Sequence, residues 1–328
     1  MNTISDQPLF APAPEWTGRD DGPGPEHARW HSVVQPLPAD GAASATDAAV
    51  LIGYASDEGV LRNGGRQGAA AGPAALRSAL GGLAVHDSFP RFDAGTVTTQ
   101  NDDLEGSQAE LSRRVGDILS NGNLAVVLGG GHETAFATHC GAFRGNGEQP
   151  LKIVNLDAHF DLRTADRATS GTPFKQIAEF VQNACPDQPA AFDYSVFGIS
   201  EANNTAVLFN TADELGVETV LDEDLMDLGP SQAAGLVAKS VQDQPAIHLS
   251  IDLDVLPAAA APGVSAPASL GVDFAKIRAM ALAVAATGKL RLVDVVELNP
   301  DFDVDDRTAK LAARLIADIV ATHASAHA

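Results

Sequence analysis

Short apolar runs alternating with helical periods predict an α/β protein: a single doubly wound parallel sheet flanked by helices on both faces. Three observations lead there. The β-rich runs are mostly continuous apolar stretches and not strict alternations, which suits strands covered on both sides. Helix-period segments with end signals lie between them. No composition shift divides the middle of the 328 residues, so one domain is expected over 46–328, preceded by an arm.

In chain order, residues 1–45 are rich in Pro, Ala, Gly and charge and predict an irregular arm draped over the domain. The expected strands are 49–54, 124–129, 151–157, 194–199, 217–221, 246–254 and 290–298. Among the helices, 104–122 places Leu104, Leu111, Val115, Ile118 and Leu119 on one stripe and stops at Asn121-Gly122, a C-cap signal. The segment 272–288 opens at Asp273 and closes on Gly288. A last helix, from about Asp305 to His323, carries Leu311, Leu315, Ile316 and Ile319.

Charge narrows the partners. Lys plus Arg number 21 against 43 Asp plus Glu, a net charge of −22, which repels nucleic acid and anionic membranes. A small-molecule substrate is expected, and an acidic one would need local positive charge. The two cysteines, Cys140 and Cys185, form no Cys-x-x-Cys pair and read as thiols in a reducing cytoplasm. The N-terminus shows no basic region followed by an apolar stretch, and the most apolar run, Ala279 to Ala286, is far shorter than a membrane span.

In open parallel sheets, ligands bind beyond the carboxyl ends of the strands, and the polar residues that need explaining fall there. One run leads into Gly-Gly-Gly-His132, a second into Asp157-Ala-His159-Phe-Asp161, a third into Asp252-Leu-Asp254 and a fourth into Glu297. Residues two apart on a strand share a face, so Asp157, His159 and Asp161 are expected to point one way, as are Asp252 and Asp254. Gathered at one sheet edge, such carboxylates cannot stay ionised together without strong counter-charge. Two divalent cations supply it. An oxygen-rich set with a minority of His suits Mn(II) better than Zn. Two ions roughly 3.5–4 Å apart can share a water and make hydroxide available near neutral pH.

Taken singly, the motifs are ambiguous. Gly-Gly-Gly-His suits a βα turn whose His caps a helix, although it lacks the Lys-Ser/Thr ending of a phosphate loop. Asp-x-Asp at a strand end suits a single Mg site or a turn. Asp-x-His-x-Asp is harder to dismiss, and all three after separate strands point to a binuclear centre.

LGGGHE, NLDAHFDLR and SIDLDVLP together resemble the three metal-binding signatures of the ureohydrolase (arginase) family. VVELNP resembles the strand that carries that family's acidic residue facing an amidine. The resemblance runs from about Gly53 to the C-terminus. It implies an arginase-like three-layer α/β/α fold, hydrolysis of C–N bonds in linear amidines, and a homo-oligomer, trimer or hexamer. It implies one Mn(2+) held by His132, Asp157, Asp161 and Asp252, and a second held by Asp157, His159, Asp252 and Asp254.

Within the family, segments 62–80, 170–174 and 261–267, the His132-Glu133 pair, and the arm pieces 16–20 and 29–31 resemble the formimidoylglutamase branch of histidine degradation. That branch implies cleavage of N-formimidoyl-L-glutamate to L-glutamate and formamide. Another guanidino acid or agmatine is the alternative substrate, and a non-catalytic binding protein the alternative outside catalysis. Intact ligand positions argue against the last. Arginases carry a further His shortly after the Ser-Gly that follows Asp-x-His-x-Asp. Here Ser170-Gly171-Thr172-Pro173-Phe174 has none, which weighs against arginase and leaves Asp161 or Asp254 to relay a proton.

A cationic amidine bearing two carboxylates asks for Glu297 at one end and arginine at the other. Arg163, two residues beyond Asp161, is the first candidate; Arg62 and Arg66, in the Gly-rich loop after the first strand, are the others. Each also suits an exposed surface arginine. Asn204, before Thr205, reads as a further substrate-side element, although such a pair also simply starts helices. His86, His139, His248, His323 and His327 are expected to be structural or solvated, with His248 hydrogen-bonded inside an apolar strand.

Overall fold

The protein is described from a computed structural model covering residues 9–37, 45–188 and 190–327. Ten strands form one sheet: β1 (Phe10–Ala11), β2 (Val34–Pro36), β3 (Ala49–Ala55), β4 (Arg91–Thr98), β5 (Leu124–Leu128), β6 (Lys152–Leu156), β7 (Tyr194–Ile199), β8 (Glu218–Leu221), β9 (Ile247–Asp252) and β10 (Leu290–Val296). Their order is β1-β4-β3-β5-β10-β9-β6-β7-β8, with β2 also on β4. Every pairing is parallel except that of β1 with β4.

Strand alternation sends neighbouring residues to opposite cores. Val126 and Leu128 join one apolar cluster with the helices Gly72–Gly81, Pro230–Val241, Phe274–Ala285 and Arg307–Ala326. Ala125 and Val127 join the other with the helices Leu104–Ser120, Thr134–Gly145, Pro173–Ala184 and Ala206–Glu214. The sheet is thus covered on both faces, which is why its strands read as unbroken apolar runs. Among the described residues no helix is long and apolar enough to cross a membrane.

Two features depart from expectation. The arm is not wholly irregular: Phe10–Ala11 and Val34–Pro36 pair with different parts of β4 and extend the sheet. Residues 1–8 and 38–44 of that arm lie outside the described residues. The strand they pair with, β4, escapes sequence reading because its polarity is inverted. Its buried positions include Arg91 and Asp93, while Phe92 and Ala94 are only partly covered. Asp93 is tolerated in the interior because Arg77 reaches it with two N–H groups, at 2.8 and 2.9 Å. Trp16 Nε1 donates to the same carboxylate at 2.9 Å, tying the arm to the domain.

Candidate metal centre

The four strands whose ends carry the site, β5, β10, β9 and β6, are consecutive across the middle of the sheet. Parallel alignment brings their carboxyl ends together, so residues up to 165 positions apart meet at one edge. After β5 the chain turns through Gly129-Gly130-Gly131. A Cβ at Gly130 would lie 1.9 Å from the carbonyl oxygen of Ser56, so close backbone approach demands glycine there. The turn delivers His132, whose Nδ1 lies 3.2 Å from Asp157 Oδ2, 3.0 Å from Asp161 Oδ2 and 3.1 Å from Asp252 Oδ2. Beside this group, His159 Nδ1 sits 3.1 Å from Asp254 Oδ2 and 3.7 Å from Asp157 Oδ1.

Strand alternation is not what aims these side chains. β6 ends at Leu156 and β9 at Asp252, so Asp157–Asp161 and Asp254 lie in turns. One device operates twice. Asp157 Oδ1 accepts the backbone N–H of His159 at 2.7 Å, and Asp252 Oδ1 accepts that of Asp254 at 2.8 Å. Each bond fixes one carboxylate oxygen on the turn and leaves Oδ2 facing His132. Asn155 Nδ2 then steadies Asp157 Oδ2 at 2.9 Å. Asp161 and Glu297 hold left-handed backbone, φ 50° and 68°, strain of the kind that accumulates where neighbours over-determine a functional side chain.

The residues fit divalent cations. His132, Asp157, Asp161 and Asp252 converge in one group with ligand atoms within 4.8 Å of one another, and Asp157, His159 and Asp254 form a second. Among the described residues Asp254 Oδ1 is buried without a hydrogen-bond partner, and His132 Nδ1 is close to its three carboxylates but in hydrogen-bond geometry with none of them. Burial and the charges of Asp254 and Asp157 push Asp252 well above the usual carboxylate range. Burial raises Asp161 as well and takes Asp254 up to about 6. Burial opposes charge on both rings, yet the carboxylates around His132 and His159 raise these imidazoles well above their ordinary value. Asp157 alone falls, since the two imidazoles beside it outweigh its burial. Such a pocket lacks positive charge. Cations placed among the carboxylates would leave the rings neutral and able to ligate.

Glu297 forms the adjoining wall. Its Oε1 accepts the backbone N–H of His132 at 2.7 Å, while Oε2 is buried with no partner. Burial first, then Asp252, pushes its carboxyl well above the ordinary range. The cleft over these groups, about 200 Å³, is lined by His159, Asp161, Asp252, Asp254 and Glu297 and also by Arg163, Asn63, Ser170, Asn204 and Ser265. Arg163 is exposed at its mouth, its side chain lying against Gly171, where a Cβ would come within 2.8 Å of Cδ.

Three expected substrate contacts turn out to be engaged elsewhere. Arg62 is spent on Glu58, Glu105 and the carbonyls of Ala168 and Asp102, and does not line the cleft. Arg66 donates to the carbonyls of Val264 and Ser265 and stacks over Phe302, bracing the loop that carries Ser265. Asn204 does line the cleft, but its amide donates to Ala158 and Ser200 and accepts from Phe160 N–H. It shapes the Asp157–Asp161 turn. Spacing placed all three near the site, but unmade partners decide availability, and those partners lie 40 or more positions away for Arg62's contacts with Glu105 and Asp102. Asn63, Ser170 and Ser265 were not anticipated as cleft residues. All three lie within segments that carried the family resemblance, which was their only signal.

Comparison with known proteins agrees with this architecture. The chain is 48% identical over 311 residues to a formimidoylglutamase of Corynebacterium efficiens, covering 95% of this chain and 96% of that protein. The structure is similar to that of Trypanosoma cruzi formiminoglutamase with Mn2+2, at a TM-score of 0.77 and 25% identity over 86% of this chain and 95% of that one. It is also similar to proclavaminate amidino hydrolase from Streptomyces clavuligerus, at a TM-score of 0.71 and 26% identity over 86% and 93% of the two chains. Residues 47–321 match the model of the Arginase family, and the chain belongs to that family.

Proposed function

We propose that the protein is a formimidoylglutamase, hydrolysing N-formimidoyl-L-glutamate to L-glutamate and formamide with two Mn(II) ions per chain. The observation that carries this reading is one cleft lined by residues of both candidate ligand groups, by Glu297, whose Oε2 has no hydrogen-bond partner among the described residues, and by the exposed Arg163. The high identity to proteins of that name supports it.

His132, Asp157, Asp161 and Asp252 would hold one ion, and Asp157, His159, Asp252 and Asp254 would hold the other. When bound, the ions supply Lewis acidity and an activated water for attack on the formimidoyl carbon. Glu297 Oε2 accepts an amidine N–H and fixes that carbon over the metal groups. Arg163 presents a planar fork to a substrate carboxylate at the mouth. Water adds to the carbon and the bond to the glutamate nitrogen breaks. Asp254 Oδ1, or the Asp161 carboxylate, holds the proton that the departing amine takes up. Residues 170–174 supply no imidazole for that step. A homo-oligomer, trimer or hexamer by family resemblance, belongs to this proposal. So does a cytoplasmic setting, in which the buried thiols Cys140 and Cys185 stay reduced.

A substrate panel tests the reading. Manganese-loaded protein is expected to turn over formimidoylglutamate far faster than arginine, agmatine or other guanidino acids. Comparable kcat/KM on arginine would overturn the substrate, and silence on every amidine at full metal content would favour a binding role.

A further inference from the structure

Ser250 on β9 and Asp294 on β10 are register partners, two polar residues side by side in the middle of the sheet. Both are fully buried. Ser250 Oγ lies 2.5 Å from Asp294 Oδ1 and 3.0 Å from His132 Nε2. A serine hydroxyl has one proton. Asp294 is an ionised carboxylate, because three donors converge on it: Ser250, Thr138 Oγ1 at 2.7 Å and His248 Nε2 at 2.7 Å. Its acidity agrees: burial opposes ionisation, but His248 holds the carboxyl below its usual range. An acceptor-only group at 2.5 Å claims the Ser250 proton in a short charge-assisted bond. Toward His132, Ser250 Oγ can then only accept.

We infer that Ser250, oriented by Asp294, is a positioning residue that sets the tautomer of His132. Nε2 carries the proton and donates to Ser250, so Nδ1 turns a lone pair toward Asp157, Asp161 and Asp252. The opposite arrangement would put an oxygen lone pair against the Asp294 carboxylate in a dry core and aim an N–H at the cation position. His139 Nδ1, 3.2 Å from His248 Nδ1, extends the chain and makes His248 the link between two buried helix and strand elements. Ligating imidazoles are commonly fixed through their second nitrogen, and losing that partner weakens metal binding about 10- to 100-fold.

This inference rests on the six residues holding metal, and the test keeps the two apart. Metal-free protein is titrated with Mn2+, free Mn2+ is followed by electron paramagnetic resonance, and unfolding is measured in chelator. Wild type is expected to take up two ions per chain; a wild type that binds none would sink the metal reading itself. Ser250→Ala should bind one of the two ions 10- to 100-fold more weakly, and because it too strips a donor from buried Asp294 its unfolding midpoint in chelator should fall about as far as that of Thr138→Val. Ser250→Thr, which keeps the hydroxyl, should restore affinity. Thr138→Val removes a donor from Asp294 without touching His132, so it should cost stability and leave affinity intact. Wild-type affinity in Ser250→Ala, or an equal loss in Thr138→Val, would overturn the assignment.

Discussion

The backbone N–H of His132 donates to Glu297 Oε1 at 2.7 Å, so one carboxylate both braces the glycine turn and offers its other oxygen to the cleft. Glu297→Gln should separate these duties. The amide oxygen can keep the bond to His132, but the NH2 would meet the amidine N–H. Metal content is expected to stay at the wild-type level while kcat/KM falls at least tenfold, the scale of one hydrogen bond to a charged group. Near-wild-type turnover would remove Glu297 from substrate binding.

Asp252 lies 3.1 Å from His132 Nδ1 and holds the turn that carries Asp254. Asp252→Ala removes a proposed ligand and releases that turn. Elemental analysis should find two divalent ions per chain in wild type and a marked loss in the variant, with turnover abolished. A single zinc in wild type would contradict the binuclear centre.

Arg163 and Arg62 should behave oppositely. Arg163→Ala is expected to lower kcat/KM on formimidoylglutamate about ten- to a hundredfold, roughly 1.5–3 kcal/mol. Arg163→Lys should recover little, since a point charge does not reproduce the fork. Arg62→Ala should instead lower the unfolding midpoint, because it frees Glu58, Glu105 and two carbonyls. Unchanged kinetics in Arg163→Ala would exclude this residue from the site.

His323 is buried with its Nδ1 unpartnered, and burial, with His327 and Arg291 nearby, lowers its pKa to about 4. The unfolded chain therefore binds the proton more tightly than the folded one. Stability from this group is fully present above the unfolded value near 6.5 and is lost as pH falls toward 4. Measured in chelator, the denaturant midpoint of wild type should fall relative to that of His323→Gln as pH drops from about 6.5 toward 4, because only wild type takes up a proton on unfolding there. Parallel curves would show that this imidazole does not titrate as described.

Much of this protein is written locally. Unbroken apolar runs marked seven strands because a sheet covered on both faces needs no polar alternation, and the motifs ending in His132, Asp161, Asp254 and Glu297 stood at those strands' carboxyl ends. What local pattern could not express was partnership. β4 hides its buried face behind Arg91 and Asp93, which are interior only because Asp87 and Arg77 come to meet them. Arg62, Arg66 and Asn204 looked available until distant chain claimed their donors. Asp157 and Asp252 face His132 from turns closed by their own carboxylates, a geometry that strand periodicity does not encode. The sequence by itself determined the fold class and which side chains gather at one sheet edge, because burial periodicity and motif chemistry act over a few residues. Only tertiary structure decided which of those side chains are free to act, because a hydrogen-bond donor near the site is available only when no closer partner has satisfied it.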